Sequence, residues 1–214
     1  MATSIGEARP DHAGFIAWVT LTAWRSHLAR GFWDFFIDGN EAECLRFLDI
    51  LTTTDTPHWV HYSTFMVAEI EGTPVAALSG YFDAELGLPS LRKGIAEADG
   101  RLGRTRDQTA AGLRRVAPIL LVAPDHQPGV WIVENVATRP DCRRRGLVDA
   151  LLSAICDRGR QRGATQTDIG VMIGNEPARR AYEKAGFRVT GEKRHPDFEA
   201  VWGSPGILAL GRAL

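Results

Sequence analysis

The sequence predicts a mixed α/β fold, a single sheet with helices on both faces. Two patterns carry that prediction. Between Val130 and Ile173 an apolar strand pattern, a helical stripe and a second strand follow in order. Such a unit needs a parallel crossover. Upstream, the apolar runs Thr64–Glu71 and Pro74–Phe82 are separated by Gly72-Thr73, a two-residue turn signal. That is a hairpin, so antiparallel pairs join the same sheet.

In chain order, Ser4–Ala8 is a short strand, and Arg9-Pro10-Asp11 opens a helix with an acidic first turn. From His12 to Leu28 the pattern is helical, with Leu21, Trp24 and Leu28 on one face. Gly31–Ile37 is dense in aromatic rings. Glu41–Leu51 is a helix with Cys44, Leu45, Leu48 and Leu51 at helical spacing, ended by Thr52–Pro57. After the hairpin, 83–128 is less regular. Leu91–Ala98 and Gln108–Val116 look helical, among Arg92, Lys93, Arg101, Arg104, Arg106, Arg114 and Arg115. A substrate-binding lid and a solvated pair of helices are both open there.

Val130–Thr138 is then a strand and Arg143–Arg160 a helix, with Leu147, Leu151 and Ile155 on one stripe beside Val148 and Leu152. Thr165–Ile173 is a strand. Asn175-Glu176-Pro177 starts a helix with a good N-cap and an early Pro, and Gly186 caps its end. Phe187–Lys193 and Ile207–Arg212 close the sheet, joined by a loop. The whole of 1–214 reads as one domain with a partly helical insertion at about 83–128.

Composition bounds the function. The chain has 214 residues and a net charge of −1, which disfavours non-specific attraction to nucleic acid or an anionic membrane. No run approaches the ~18 apolar residues of a membrane helix. The N-terminus lacks the apolar core of a signal peptide. Three cysteines with no CxxC pair argue against a disulfide framework and a zinc ribbon. No His, Cys and Asp cluster has metal spacing, so no metal is expected. The expectation is a soluble cytoplasmic protein.

The chemistry concentrates in Val130–Val148. A strand feeding a Gly-containing turn and then a helix N-terminus is a place for a phosphorylated ligand. Arg143, Arg144 and Arg145 add charge, and Gly146 lets ligand oxygens come close. By strand alternation Glu134 shares a face with Ile132 and Val136, company that would raise its pKa and suit a base.

These residues resemble a known family, the GNAT N-acetyltransferases. The likeness rests on Arg-Pro-Asp-His opening the first helix and on Glu134–Pro140 before the turn. It rests further on Arg143–Val148, against Gln/Arg-x-x-Gly-x-Gly/Ala, and on Asn175–Phe187, against a pattern of Asn, Ala, Tyr and Gly-Phe. It covers Gly129–Lys193 well, the first eighty or so residues loosely, and 83–128 hardly at all. Val148 departs from it, standing where the family has Gly or Ala.

The resemblance implies a mostly antiparallel mixed sheet, splayed at a parallel strand pair. It implies an acetyl group moved from acetyl-coenzyme A to a primary amine, on a small molecule or peptide, by direct attack in a ternary complex. Pantetheine would lie along Val136, Ala137 and Thr138. Pyrophosphate would meet Arg143 to Val148, including Leu147, and Asn175 would touch the coenzyme. Tyr182 would protonate the thiolate, or simply pack its helix. Glu134 would be the base, or else pair with an Arg or bind the substrate ammonium, with His58, His61 and Tyr62 as auxiliary groups. Trp24, Trp33 and Phe36 would help line the acceptor site, or form core, with His195–Phe198 opposite. Family members often form homodimers. A non-catalytic acyl-coenzyme A sensor is the alternative. A nucleotide-binding protein is disfavoured, since neither Gly-x-x-x-x-Gly-Lys nor Gly-x-Gly-x-x-Gly occurs.

Overall fold

The computed structural model describes residues 2–214. Strand β1 (Thr3–Glu7) leads through a 3-10 turn at Pro10–His12 into α1 (Ala13–Arg25). Helices α2 (Phe32–Ile37) and α3 (Glu41–Leu51) precede the hairpin of β2 (Phe65–Ile70) and β3 (Thr73–Phe82). The next segment carries α4 (Asp83–Leu86), α5 (Leu88–Leu102) and α6 (Arg106–Val116). Then come β4 (Trp131–Thr138), α7 (Leu147–Gln161), β5 (Gln166–Met172) and α8 (Glu176–Lys184). The chain closes with β6 (Arg188–Arg194), α9 (Pro196–Trp202) and β7 (Gly206–Ala213).

The seven strands form one sheet, ordered β1-β2-β3-β4-β5-β7-β6. Every neighbouring pair is antiparallel except β4 and β5. That parallel pairing is short. Trp131, Ile132 and Val133 register with Thr167, Asp168 and Ile169, and the strands then part. The mixed, mostly antiparallel, splayed sheet is therefore as expected.

Local chemistry explains the boundaries. α3 begins with a capping box: Asn40 Oδ1 accepts from Glu43 N at 3.0 Å, and Glu43 Oε2 accepts from Asn40 N at 2.7 Å. The hairpin turn falls on Glu71-Gly72, one residue before the expected pair. Both residues have positive φ, 51° and 78°, as a type I′ turn demands, and Thr73, β-branched, is left to start the strand. α9 replaces the expected loop; the His195 ring accepts from Asp197 N at 3.2 Å and starts it.

One face of the sheet carries α7 and α8. Leu147, Leu151, Leu152, Ile155 and Cys156 pack there against Leu78, Trp131, Val133 and Ile169. On the other face α1 lays Ile16 and Val19 over Val67, Ala77 and Ala137. A helical cluster extends this second layer, and Trp33 and Phe36 are sealed in it at 1% and 0% exposure. These two rings, expected at an acceptor site, are core, as their size and apolar character favour. Trp24 is half-buried at the cluster's margin, its ring tilted against Phe32.

The insertion is part of this core. Leu91, Ile95, Val116 and Ile119 belong to the same cluster. Arg115 donates to the carbonyls of Phe35 at 2.7 Å and Phe36 at 3.2 Å, satisfying the open end of α2. Arg104 pairs with Asp99 at 2.8 Å over the rings of Phe36 and Phe47. Two of the basic residues thus brace helices, while Arg92, Lys93, Arg106 and Arg114 face solvent. No described helix is long and apolar enough to cross a membrane.

α6 meets α2 with almost no gap: a Cβ on Gly112 would stand 2.4 Å from the Phe36 carbonyl oxygen. Gly112→Ala should therefore cost roughly 1–3 kcal/mol in urea unfolding. Gly100→Ala, where a Cβ meets nothing within 4 Å, should be neutral or stabilising by up to about 1 kcal/mol. Equal stability of Gly112→Ala and the parent chain would show that the insertion is not docked in this way.

Candidate active site

The site is built on an irregularity in β4. Ala77 of β3 faces Ala137, yet Ser79 faces Glu134, so β4 carries one extra residue between them. Asn135 absorbs it with a φ of 55°, a left-handed conformation that Asn tolerates better than most residues. Its Nδ2 donates to Ser79 Oγ at 2.9 Å, and Ser79 Oγ donates to the Glu134 carbonyl at 3.3 Å. The bulge is thus stapled to β3.

The bulge reverses the alternation. Trp131 and Val133 belong to the α7 face before it, and Val136 packs on that same face after it. Ala137 belongs to the α1 face. Glu134 therefore shares a face with Ile132 but not with Val136, which corrects the simple alternation expected for this strand. Its surroundings nonetheless perturb the carboxyl. Oε2 is buried and accepts no hydrogen bond from any described residue. Burial raises the Glu134 carboxyl to a pKa of about 7, with the charge of His126 and the Tyr81 phenol pulling the other way and Asp83 adding to the rise.

Three of these neighbours were not singled out in the sequence. Tyr81 is buried and stacked on Trp59, with ring centroids 5.9 Å apart. Burial, and next the charge of Glu134, hold its phenol well above the usual range. His126 and Asp83 line a cavity of about 420 Å³ between the end of β3 and the start of β4. The β3–β4 register puts Tyr81 beside Ile132, which a sequence pattern alone does not show.

Past Val133 the β5 side of β4 has no strand partner, leaving the edge of Val136, Ala137 and Thr138 open. Asn135 Oδ1 and Thr138 Oγ1 are buried there without a hydrogen-bond partner among the described residues. Pro140–Cys142 then form one 3-10 turn, and α7 begins only at Leu147. Arg143, Arg144 and Arg145 lie in the turn that the Gly-containing pattern marks, and the helix starts four residues after the expected Arg143. All three are exposed, and none has a carboxylate partner among the described residues. Arg143 and Arg145 donate only to the carbonyls of Thr138, at 3.4 Å, and Asp141, at 3.2 Å. Gly146 is the N-cap at φ 75°, and no side chain caps the first N–H groups of α7. A ligand anion fits such an end. Asp149, the acid in that first turn, is paired with Lys184. Val148, the departure from the family pattern, is half-buried against the α7-face core.

Tyr182 is buried on α8, in the α7-face core, 6.4 Å from the Phe187 ring between centroids. Burial pushes its phenol well up, so it stays protonated. Glu134 and Tyr182 are on opposite faces of the sheet, and the parting of β4 and β5 is the opening between them. Asn175 caps α8, accepting from Ala178 N at 3.3 Å, while its Nδ2 donates to Ser26 Oγ at 2.7 Å. Both ends of that side chain are in use. His58 is buried between the Val60 N–H, at 3.1 Å on Nδ1, and the Leu51 carbonyl, at 3.1 Å on Nε2. Burial lowers it to about 4. It is a neutral structural group.

The sequence matches the family model for acetyltransferase (GNAT) family proteins over residues 25–187. No curated protein sequence matches it. Several solved structures share the fold at low identity. An N-acetyltransferase from Staphylococcus aureus Mu50 has 16% identity and a TM-score of 0.72, covering 98% of this chain and 100% of its own. The PaiA N-acetyltransferase from Thermoplasma acidophilum, in complex with coenzyme A, has 10% identity and a TM-score of 0.54, with full coverage of both chains. A Drosophila melanogaster polyamine N-acetyltransferase, which forms N-acetylagmatine, has 15% identity and a TM-score of 0.55, again with full coverage. With the family model spanning most of its length, this chain belongs to the GNAT acetyltransferase family.

Proposed function

We propose that the chain is an N-acetyltransferase that moves an acetyl group from acetyl-coenzyme A to a primary amine, by direct attack in a ternary complex. The observation that carries it is Glu134, a buried carboxyl with a pKa of about 7 where β4 and β5 part. The proposal takes all of 1–214 as one catalytic domain elaborated at 83–128.

Acetyl-coenzyme A would supply the acetyl group, activated as a thioester. The residues present suit it. Uncapped N–H groups of α7, Gly146 and the unpaired Arg143, Arg144 and Arg145 suit a pyrophosphate. The free edge of Val136, Ala137 and Thr138 offers backbone groups to an amide-containing arm, as an added strand would use them. Leu147 and Val148 hold the helix start to the core, and Asn175 fixes the facing turn. Glu134 takes the proton from the substrate ammonium, so the free amine can attack. Backbone N–H groups at the bulge stabilise the developing oxyanion. Tyr182, still protonated, gives its proton to the departing thiolate.

Purified protein with acetyl-coenzyme A should release free thiol with at least one of agmatine, spermidine, an N-terminal alanyl peptide and an aminoglycoside. Tight coenzyme binding with no turnover on any of them would favour the acyl-coenzyme A sensor instead.

A base acts as its carboxylate, so kcat/KM should rise with pH through about 7. Glu134→Gln should cost roughly 10²–10⁴ in rate and flatten that limb. Stability follows the opposite sign. A carboxyl raised above its unfolded value holds its proton in the folded chain where the unfolded chain has lost it. Glu134 thus costs stability as pH rises toward and past about 7. Glu134→Gln should melt above the parent at alkaline pH, with the gap closing on acidification; a gap that does not change with pH would show that the carboxyl is not perturbed.

Tyr182→Phe keeps the ring and removes the proton. A fall in kcat of about 10²-fold or more, with coenzyme A affinity unchanged in calorimetry, is expected. An unchanged kcat would leave Tyr182 a packing residue only.

A further inference from the structure

The proton that Glu134 removes must leave a half-buried side chain whose Oε2 is sealed, and the insertion ends at the start of the strand that carries it. The segment Ala123–Pro128 crosses β5 on the Glu134 face. Pro124 approaches Gly170, where a Cβ would stand 3.9 Å from it. Lys193 of β6 ties the segment down, donating to the Ala123 carbonyl at 2.9 Å and pairing with Asp125 at 2.8 Å. At the next residue, His126 Nδ1 meets Asp168 Oδ2 at 3.4 Å.

Register puts this pair next to the base. Tyr81 of β3, Ile132 of β4 and Asp168 of β5 are neighbours across the sheet, on one face. Glu134 is two residues beyond Ile132 on that face. Gly211 of β7 pairs with Asp168, and a Cβ there would come within 3.1 Å of its Oδ1, so a small residue leaves the carboxylate its room. On its other side His126 lines the cavity of about 420 Å³, with Phe82, Asp83 and Glu85. The ring thus touches Asp168 on one side and the cavity on the other.

We propose that His126, oriented by Asp168, carries the abstracted proton from Glu134 to solvent, and that the 83–128 insertion contributes this residue to the site. It rests on Glu134 being the base. Neutral His126 keeps its proton on Nδ1, toward Asp168, which leaves Nε2 as the acceptor. The Glu134 O–H bond breaks and an Nε2–H bond forms, directly or through one water. Glu134 returns to carboxylate and His126 becomes imidazolium beside Asp168. Nε2 then releases the proton to water in the cavity. The charged groups around the ring are Asp168 on β5, Glu134 on β4, Asp83 and Glu85 on α4, and Asp125, which Lys193 of β6 neutralises. Glu85 is itself paired with Arg162.

Initial rates on the full chain, taken with acetyl-coenzyme A and the amine turned over fastest, test this. His126→Gln should lower kcat about tenfold, keep the KM for acetyl-coenzyme A, and recover in part with added imidazole. Rates within about twofold of the parent at every pH, with Glu134→Gln inactive, overturn the relay and leave the base standing. Full activity of Glu134→Gln would remove the base, and the relay with it.

Discussion

The short hydrogen-bonded chain from Asn135 to Ser79 to the Glu134 carbonyl is the constraint on which the site depends. It holds one extra residue in β4, and a strand with period two cannot absorb one extra residue without turning over everything beyond it. Before the bulge, odd-numbered residues serve the α7 face; after it, even-numbered ones do. The bulge also lies at the point where β5 departs, so its irregular backbone opens onto a gap rather than onto a neighbouring strand. A regular β4 would have put residue 136 on the Glu134 face and left no step in the backbone where charge could be received.

The parting of β4 and β5 then divides the labour between faces. The α7 face holds the helix end, the arginine turn and Tyr182, all suited to an anionic ligand and a leaving group. The α1 face holds Glu134, Tyr81, Asp168 and His126, all suited to handling protons. Separation matters electrostatically. Arg143, Arg144 and Arg145 close to Glu134 would lower its pKa and spoil it as a base near neutrality. On the far side of the sheet and in solvent, they are open to an anion without lowering that pKa.

Much of this layout was legible because it rests on local chemistry. The Asn175–Pro177 helix start, the α3 boundaries and the α7 stripe follow from capping and periodicity, and the structure has all three. Glu134 and the arginine turn could be found because residue type and spacing announce them. What stayed hidden depended on long-range geometry. Asn135 looks like an ordinary strand residue until Ser79 is known to lie beside it. Trp33 and Phe36 look equally fit for a pocket or a core until helices from the insertion are seen to cover them. His126 sits in a polar loop with no motif, and only the register of three strands brings it to the site.

The insertion shows why that last kind of residue matters. α5 and α6 lengthen the second core and anchor α2 through Arg115. A docked scaffold of this sort has a mechanical consequence. The segment leaving it is short and tied by Lys193, so its path across β5 has little freedom, and the His126 ring is delivered with the Asp168 contact already made. A proton acceptor on a loose loop would lose entropy each time it approached the base. On a tethered one that loss is met once, in folding, and the packing of Leu91, Ile95 and Val116 far from the chemistry is what meets it.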